Sequence, residues 1–139
     1  KKKRMVLGID IDIKKKNLIA IKKHPLNNLI KMIEADSVDE KTVERVKKIA
    51  SKFQKILLIL DSNHTHEHVS NELKYYSSLV SKNSYCLVFD TILNNIPNKL
   101  MNNRPWNKKN NPMTIPDFEK ARRIIETIYF FLFGRRNSK

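Results

Sequence analysis

A chain of 139 residues with an ordinary hydrophobic share of 40% is long enough for one domain with a real core. Its only cysteine, Cys86, excludes an internal disulfide framework and a thiolate zinc site, and fits a reducing, cytoplasmic setting. The net charge of +14 would attract polyanions, but much of it lies in runs (Lys1 to Arg4, Lys14 to Lys16, Arg135 and Arg136) typical of solvated ends and turns, so nucleic acid is the disfavoured partner.

In chain order, "MVLGIDI" (Met5 to Ile11) is a short apolar run ending in acids and reads as a buried strand. Asn17 to Lys23 is a short helix punctuated by Pro25, and Leu29 to Ile33 is a second strand followed by Glu34, Asp36 and Ser37. Val43, Val46, Ile49, Ala50 and Phe53 recur at three and four, which predicts a helix over Asp39 to Phe53. Ile56 to Leu60 is a third strand. Thr65 to Val80 is a second amphipathic helix, with Thr65 as its N-cap and Val69, Leu73, Tyr76 and Val80 inward. "YCLVF" (Tyr85 to Phe89) is a fourth strand. Asn94 to Pro116 has loop composition, and Phe118, Ala121, Ile125, Ile128 and Leu132 predict a last helix over Asp117 to Phe133. No signal peptide is legible, because Asp10 and Asp12 break the apolar run after Arg4. Ile128 to Phe133, the greasiest stretch near the end, falls far short of the ~20 residues a membrane span needs.

Strands alternating with helices predict an α/β fold with a parallel sheet and flanking helices, whose ligand lies beyond the carboxyl ends of the strands. Asp10, Asp61 and Asp90 each close an apolar run, so all three are expected at that edge. Behind Asp61 come His64, His66 and His68. His64 and His68 have helical spacing for a zinc pair, but position 65 is Thr where an HExxH motif carries its glutamate. Asp61 and His64 with a third ligand would suit non-haem iron. His66 and His68 read as residues on the first turn of a solvated helix. His64 lies in the loop lining the cleft, where a neutral imidazole can take a proton from a hydroxyl, or simply bond to backbone.

The stretches "VLGIDIDI", "HPLNNLIKMIEADSVD", "LDSNHTHEHVSNELKYYSSLVSKNSYCLVFDT" and "NRPWNKKNNP" closely resemble the cephalosporin hydroxylase/rhamnosyl O-methyltransferase family over residues 4–115. The resemblance implies a Rossmann-like domain over 1–116, lacking the first strand-turn-helix, and a divergent C-terminal helix and basic tail over 117–139. It implies S-adenosylmethionine as cofactor and O-methylation of a small-molecule or saccharide acceptor, sugar-like or natural-product in kind, with a homo-oligomer left open. By position, Asp10 corresponds to the acid on the cofactor ribose, Asp36 and Ser37 to the adenine side, and His64 to the general base. Asp61 and Asp90 correspond to ligands of a divalent metal such as Mg²⁺. Phe89 stands where the family can carry a further ligand, which weakens that metal site. The missing glycine-rich segment leaves open a truncated or inactive member, and the rival function is a non-catalytic basic remnant that binds polyanions.

Overall fold

The structure, a computed structural model, describes residues 4–91, 97 and 104–115. Its backbone divides into two compact units, Lys1–Phe53 and Gln54–Lys139.

In the first unit, strand β1 (Val6–Asp10) pairs in parallel with β2 (Ile30–Glu34), Val6 opposite Ile30 and Asp10 opposite Glu34. A parallel pair needs a crossover, supplied here by helix α1 (Lys15–Lys23) and a 3-10 turn at Asn27–Leu29. Gly8 faces Met32 across the pair. A Cβ on Gly8 would come within 2.6 Å of the Met32 sulfur, so the missing side chain is what lets Met32 lie flat there. Helix α2 (Glu40–Ala50) follows. Asp39 caps it by accepting the Thr42 N–H at 3.0 Å, with Glu40 in the first turn and Lys47 and Lys48 in the last, each suited to the helix dipole. Ile33, Val43 and Val46 are buried, as the three-and-four spacing requires. The helix stops at Ala50, three residues short of the sequence expectation, because Lys52 and Phe53 turn back onto the Ile49 and Ala50 carbonyls.

The second unit repeats the plan. Strand β3 (Leu58–Leu60), helix α3 (His66–Tyr76) and strand β4 (Cys86–Val88) form a parallel strand-helix-strand unit, Leu58 opposite Cys86 and Leu60 opposite Val88. The strands are shorter than their apolar runs. Side chains alternate across a strand, so Leu60 and Cys86 are buried, whereas Leu57, Ile59, Tyr85 and Phe89 are about half exposed. Helix α3 ends at Tyr76 and continues as a 3-10 turn, Ser77–Leu79, rather than as α-helix to Val80. Thr65 does occupy the N-cap position but makes no side-chain cap bond there. The segment expected to be loop contains a 3-10 turn at Pro112–Thr114 that packs against α3. The expected helix over Asp117 to Phe133 lies outside the described residues. Among the described residues, parallel strands joined by helices are therefore present as two pairs, β1 with β2 and β3 with β4.

Candidate functional site

The chemistry-bearing side chains of the second unit gather at the carboxyl ends of β3 and β4. After β3, Asp61 is exposed, and Asn63 accepts the Thr65 N–H at 3.1 Å, turning the chain into α3. That turn carries His64 inward until its side chain is only 13% exposed, with Nε2 3.0 Å from Oδ2 of Asp90. Asp90 reaches it because the backbone leaves β4 in the left-handed region, φ 55°. Asp is among the few non-glycine residues that adopt this conformation readily. The strand alternation that would turn Asp90 away from Phe89's neighbours has ended by then, since β4 stops at Val88. A carboxylate only accepts, so the proton on the neutral ring belongs on Nε2, and Nδ1 is the nitrogen with the lone pair. The Trp106 indole meets the imidazole edge-on, with ring centroids 4.9 Å apart at 87°, and the Arg104 guanidinium lies 5.3 Å from the indole centroid.

The two neighbouring histidines lie on the first turn of α3, as expected, but both are half-buried and hold partners rather than standing free in solvent. His66 Nδ1 lies 2.8 Å from Oγ1 of Thr114, and its N–H donates to Oδ1 of Asn110 at 2.9 Å. The His68 side chain is 16% exposed, with Nε2 3.4 Å from Oε1 of the buried Glu72 one turn along α3. Ser62, in the loop between Asp61 and His64, donates to the same Glu72 oxygen at 2.9 Å. The three histidines thus take three different partners. Among the described residues no group of three or more His, Cys, Asp or Glu converges to hold a metal. The zinc and iron arrangements have no geometric support there. Asp61 and Asp90, the two carboxylates expected to hold Mg²⁺, do not by themselves make such a group, and Oδ2 of Asp90 lies 3.0 Å from His64.

In the first unit, Asp10 ends β1, with Glu34 opposite and Asp36 and Ser37 just beyond β2. Asp10 is exposed and its Oδ1 accepts the Asp12 N–H at 3.0 Å. Asp36 is half-buried and accepts the Val38 N–H at 3.0 Å, holding the turn on which Ser37 sits. Carboxylate oxygens at a strand terminus are suitable acceptors for the two hydroxyls of a ribose diol.

Sequence reasoning passed over Trp106, Asn110, Thr114 and Glu72. Glu72 had a signal, its i,i+4 spacing from His68. The other three stood in the quoted stretch "NRPWNKKNNP" and its continuation, but nothing in their spacing says which helix they would meet.

Parallel strand-helix-strand units define an α/β protein, here with a histidine-carboxylate pair at the carboxyl ends of one strand pair. Within that class, the chain belongs to the rhamnosyl O-methyltransferase/CmcI family, whose model matches residues 1–126. Comparison with curated proteins and with solved structures yields no match. No helix among the described residues is long and apolar enough to cross a membrane.

Proposed function

We propose that the chain is an S-adenosylmethionine-dependent O-methyltransferase acting on a hydroxyl of a sugar-like or natural-product acceptor. The observation that carries the reading is the 3.0 Å pair between His64 and Asp90 beside Trp106, in a chain of a methyltransferase family. The cofactor, when bound, supplies an electrophilic methyl group on a sulfonium that leaves as a neutral thioether. His64 receives the acceptor's hydroxyl proton at Nδ1 as the new O–CH₃ bond forms. Asp90 holds Nε2–H, so the ring presents the correct nitrogen, and it balances the charge of the imidazolium that results. Asp10 accepts ribose hydroxyls, and Asp36 and Ser37 line the adenine side. Asp61 adds a carboxylate at the same strand edge as His64. Any Mg²⁺ it held would need water and acceptor oxygens for most of its shell, and no step depends on it.

Titration with S-adenosylhomocysteine, followed by a methyl-transfer assay, tests the assignment. Asp10→Ala removes up to two charge-assisted hydrogen bonds of about 1.5–3 kcal/mol each, so its affinity should drop by about tenfold or more. His64→Ala should bind the product as tightly as the parent but transfer the methyl group about 10²–10⁴-fold more slowly. Unchanged affinity in the first variant discards the ribose assignment, and unchanged transfer in the second discards the base.

A further inference from the structure

The segment 104–115 is braced from within by asparagine side chains. Asn111, fully buried, donates from Nδ2 to the Asn107 carbonyl at 2.8 Å and accepts the Met113 N–H at 2.9 Å. Asn107 and Asn110 exchange backbone hydrogen bonds at 3.0 and 3.1 Å, and the Asn107 side chain accepts the Lys109 N–H at 2.8 Å. Such a segment holds its shape without being part of a helix or a sheet.

Two of its residues fasten it to α3 across long stretches of chain. The first N–H groups of a helix have no partner within the helix. Thr65 makes no side-chain cap bond, and the His66 N–H is taken by Asn110 Oδ1, 44 positions away. The Thr114 hydroxyl donates its one proton to the Asn111 carbonyl at 2.7 Å, so it accepts from His66 Nδ1–H at 2.8 Å. The other end of the Asn110 amide completes the tie: Nδ2 donates to the Pro105 carbonyl at 3.1 Å. One side chain therefore links the start of α3 to the residue immediately before Trp106. His64 sits two residues before the first residue of α3, and Trp106 is the ring that meets it.

We propose that Asn110 is a positioning residue for His64. Its amide sets the distance between α3 and Pro105, and this holds the Trp106 indole edge-on against the imidazole. Asp90 fixes one nitrogen of that imidazole and Trp106 fixes the tilt of the ring. With Arg104 over the indole, the wall is itself pinned. Two restraints on one ring leave Nδ1 a single direction, which a proton acceptor needs. The functional meaning of this clamp rests on His64 being the base, but the clamp itself is testable without turnover.

The full chain, labelled with ¹⁵N, reports the protonated ring nitrogen of each histidine through long-range ¹H–¹⁵N correlations. Because the chain holds one tryptophan, any indole ring-current shift on the His64 protons and the indole band in near-ultraviolet circular dichroism both come from Trp106. The parent should show His64 protonated on Nε2, with shifted ring protons and a strong indole band. Asn110→Ala should lose the ring-current shift and most of the band while far-ultraviolet helicity persists. Asn110→Asp, which keeps an acceptor for the His66 N–H but not the bond to Pro105, should recover only part of both. A ring-current shift in Asn110→Ala equal to that of the parent overturns the proposal. If that variant does not fold, Asn110→Asp serves instead: the ring-current shift on the His64 protons should fall below that of the parent, and a shift equal to the parent's overturns the proposal. Loss of the clamp and loss of the base stay distinguishable, because the base assignment stands or falls on methyl transfer by His64→Ala.

Discussion

The acids of the first unit and those of the second do different work with the same chemistry. Asp10, Asp36 and Asp39 each accept an N–H two or three residues ahead, and Asp12 pairs with Lys14. All of these contacts are closed within a turn. In the second unit Asp90 reaches His64, Glu72 holds both Ser62 and His68, and Asn110 and Thr114 bond His66 from 44 and 48 positions away. Local acids shape a turn. Contacts between distant positions, such as Asp90 with His64 and Asn110 and Thr114 with His66, hold side chains in a fixed relation, which would suit a group that must move a proton. A binding edge tolerates adjustment, whereas a proton acceptor does not.

Stability measurements can break or sharpen that contrast. The largest loss is expected at Glu72, a buried carboxylate with two partners. Glu72→Ala should lower the unfolding free energy in urea by about 1.5–3 kcal/mol for the Ser62 bond alone, and Glu72→Gln, which keeps an accepting oxygen, should recover much of it. A change no greater than that of a surface substitution would show that the Ser62–Glu72–His68 group is not a tie. Next comes pH. Burial pushes the Cys86 thiol up to about 11 from its usual 9.0. The unfolded chain loses that proton above 9.0 while the folded chain keeps it to about 11, so the stability Cys86 contributes is intact below 9.0 and is lost across that interval. Melting temperatures of the parent should therefore fall more steeply over that interval than those of Cys86→Ser, and parallel curves would contradict the burial argument. The smallest effects belong to the local acids. Asp39→Ala removes an N-cap and should cost about 1 kcal/mol. Asp10→Ala, at an exposed turn, should stay within about 0.5 kcal/mol in the same urea titration, whatever it does to ligand affinity. A larger loss at Asp10 than at Glu72 would reverse the contrast.

The amphipathic spacing of Val43, Val46, Val69 and Tyr76, the apolar runs before Asp10, Asp61 and Asp90, and the position of Asp39 all speak through neighbours a turn or a strand away. Composition and order therefore sufficed to give α/β character, four strands in sequence and the α-helices of the described residues. The ends of the elements were harder. Apolar runs outlast the hydrogen-bonded ladder at the start of β3 and at both ends of β4, because hydrophobicity reports burial rather than pairing.

The histidines mark where sequence stops being sufficient. Read along the chain, His64 stands apart in the loop after Asp61 as a candidate base, while His66 and His68 fall on the first turn of the next helix. Their spacing determined only that the latter two would lie on the helix after β3. Which partner each one takes was decided by chain that returns from far along the sequence: Asp90 at the end of β4, and Asn110 and Thr114 from the braced segment. A helix or strand is stabilised by residues whose separation is set by a fixed repeat, so its pattern can be read directly. A side-chain bond across 48 positions has no repeat, and only the packing of α3 against the 112–114 turn brings its two ends within reach.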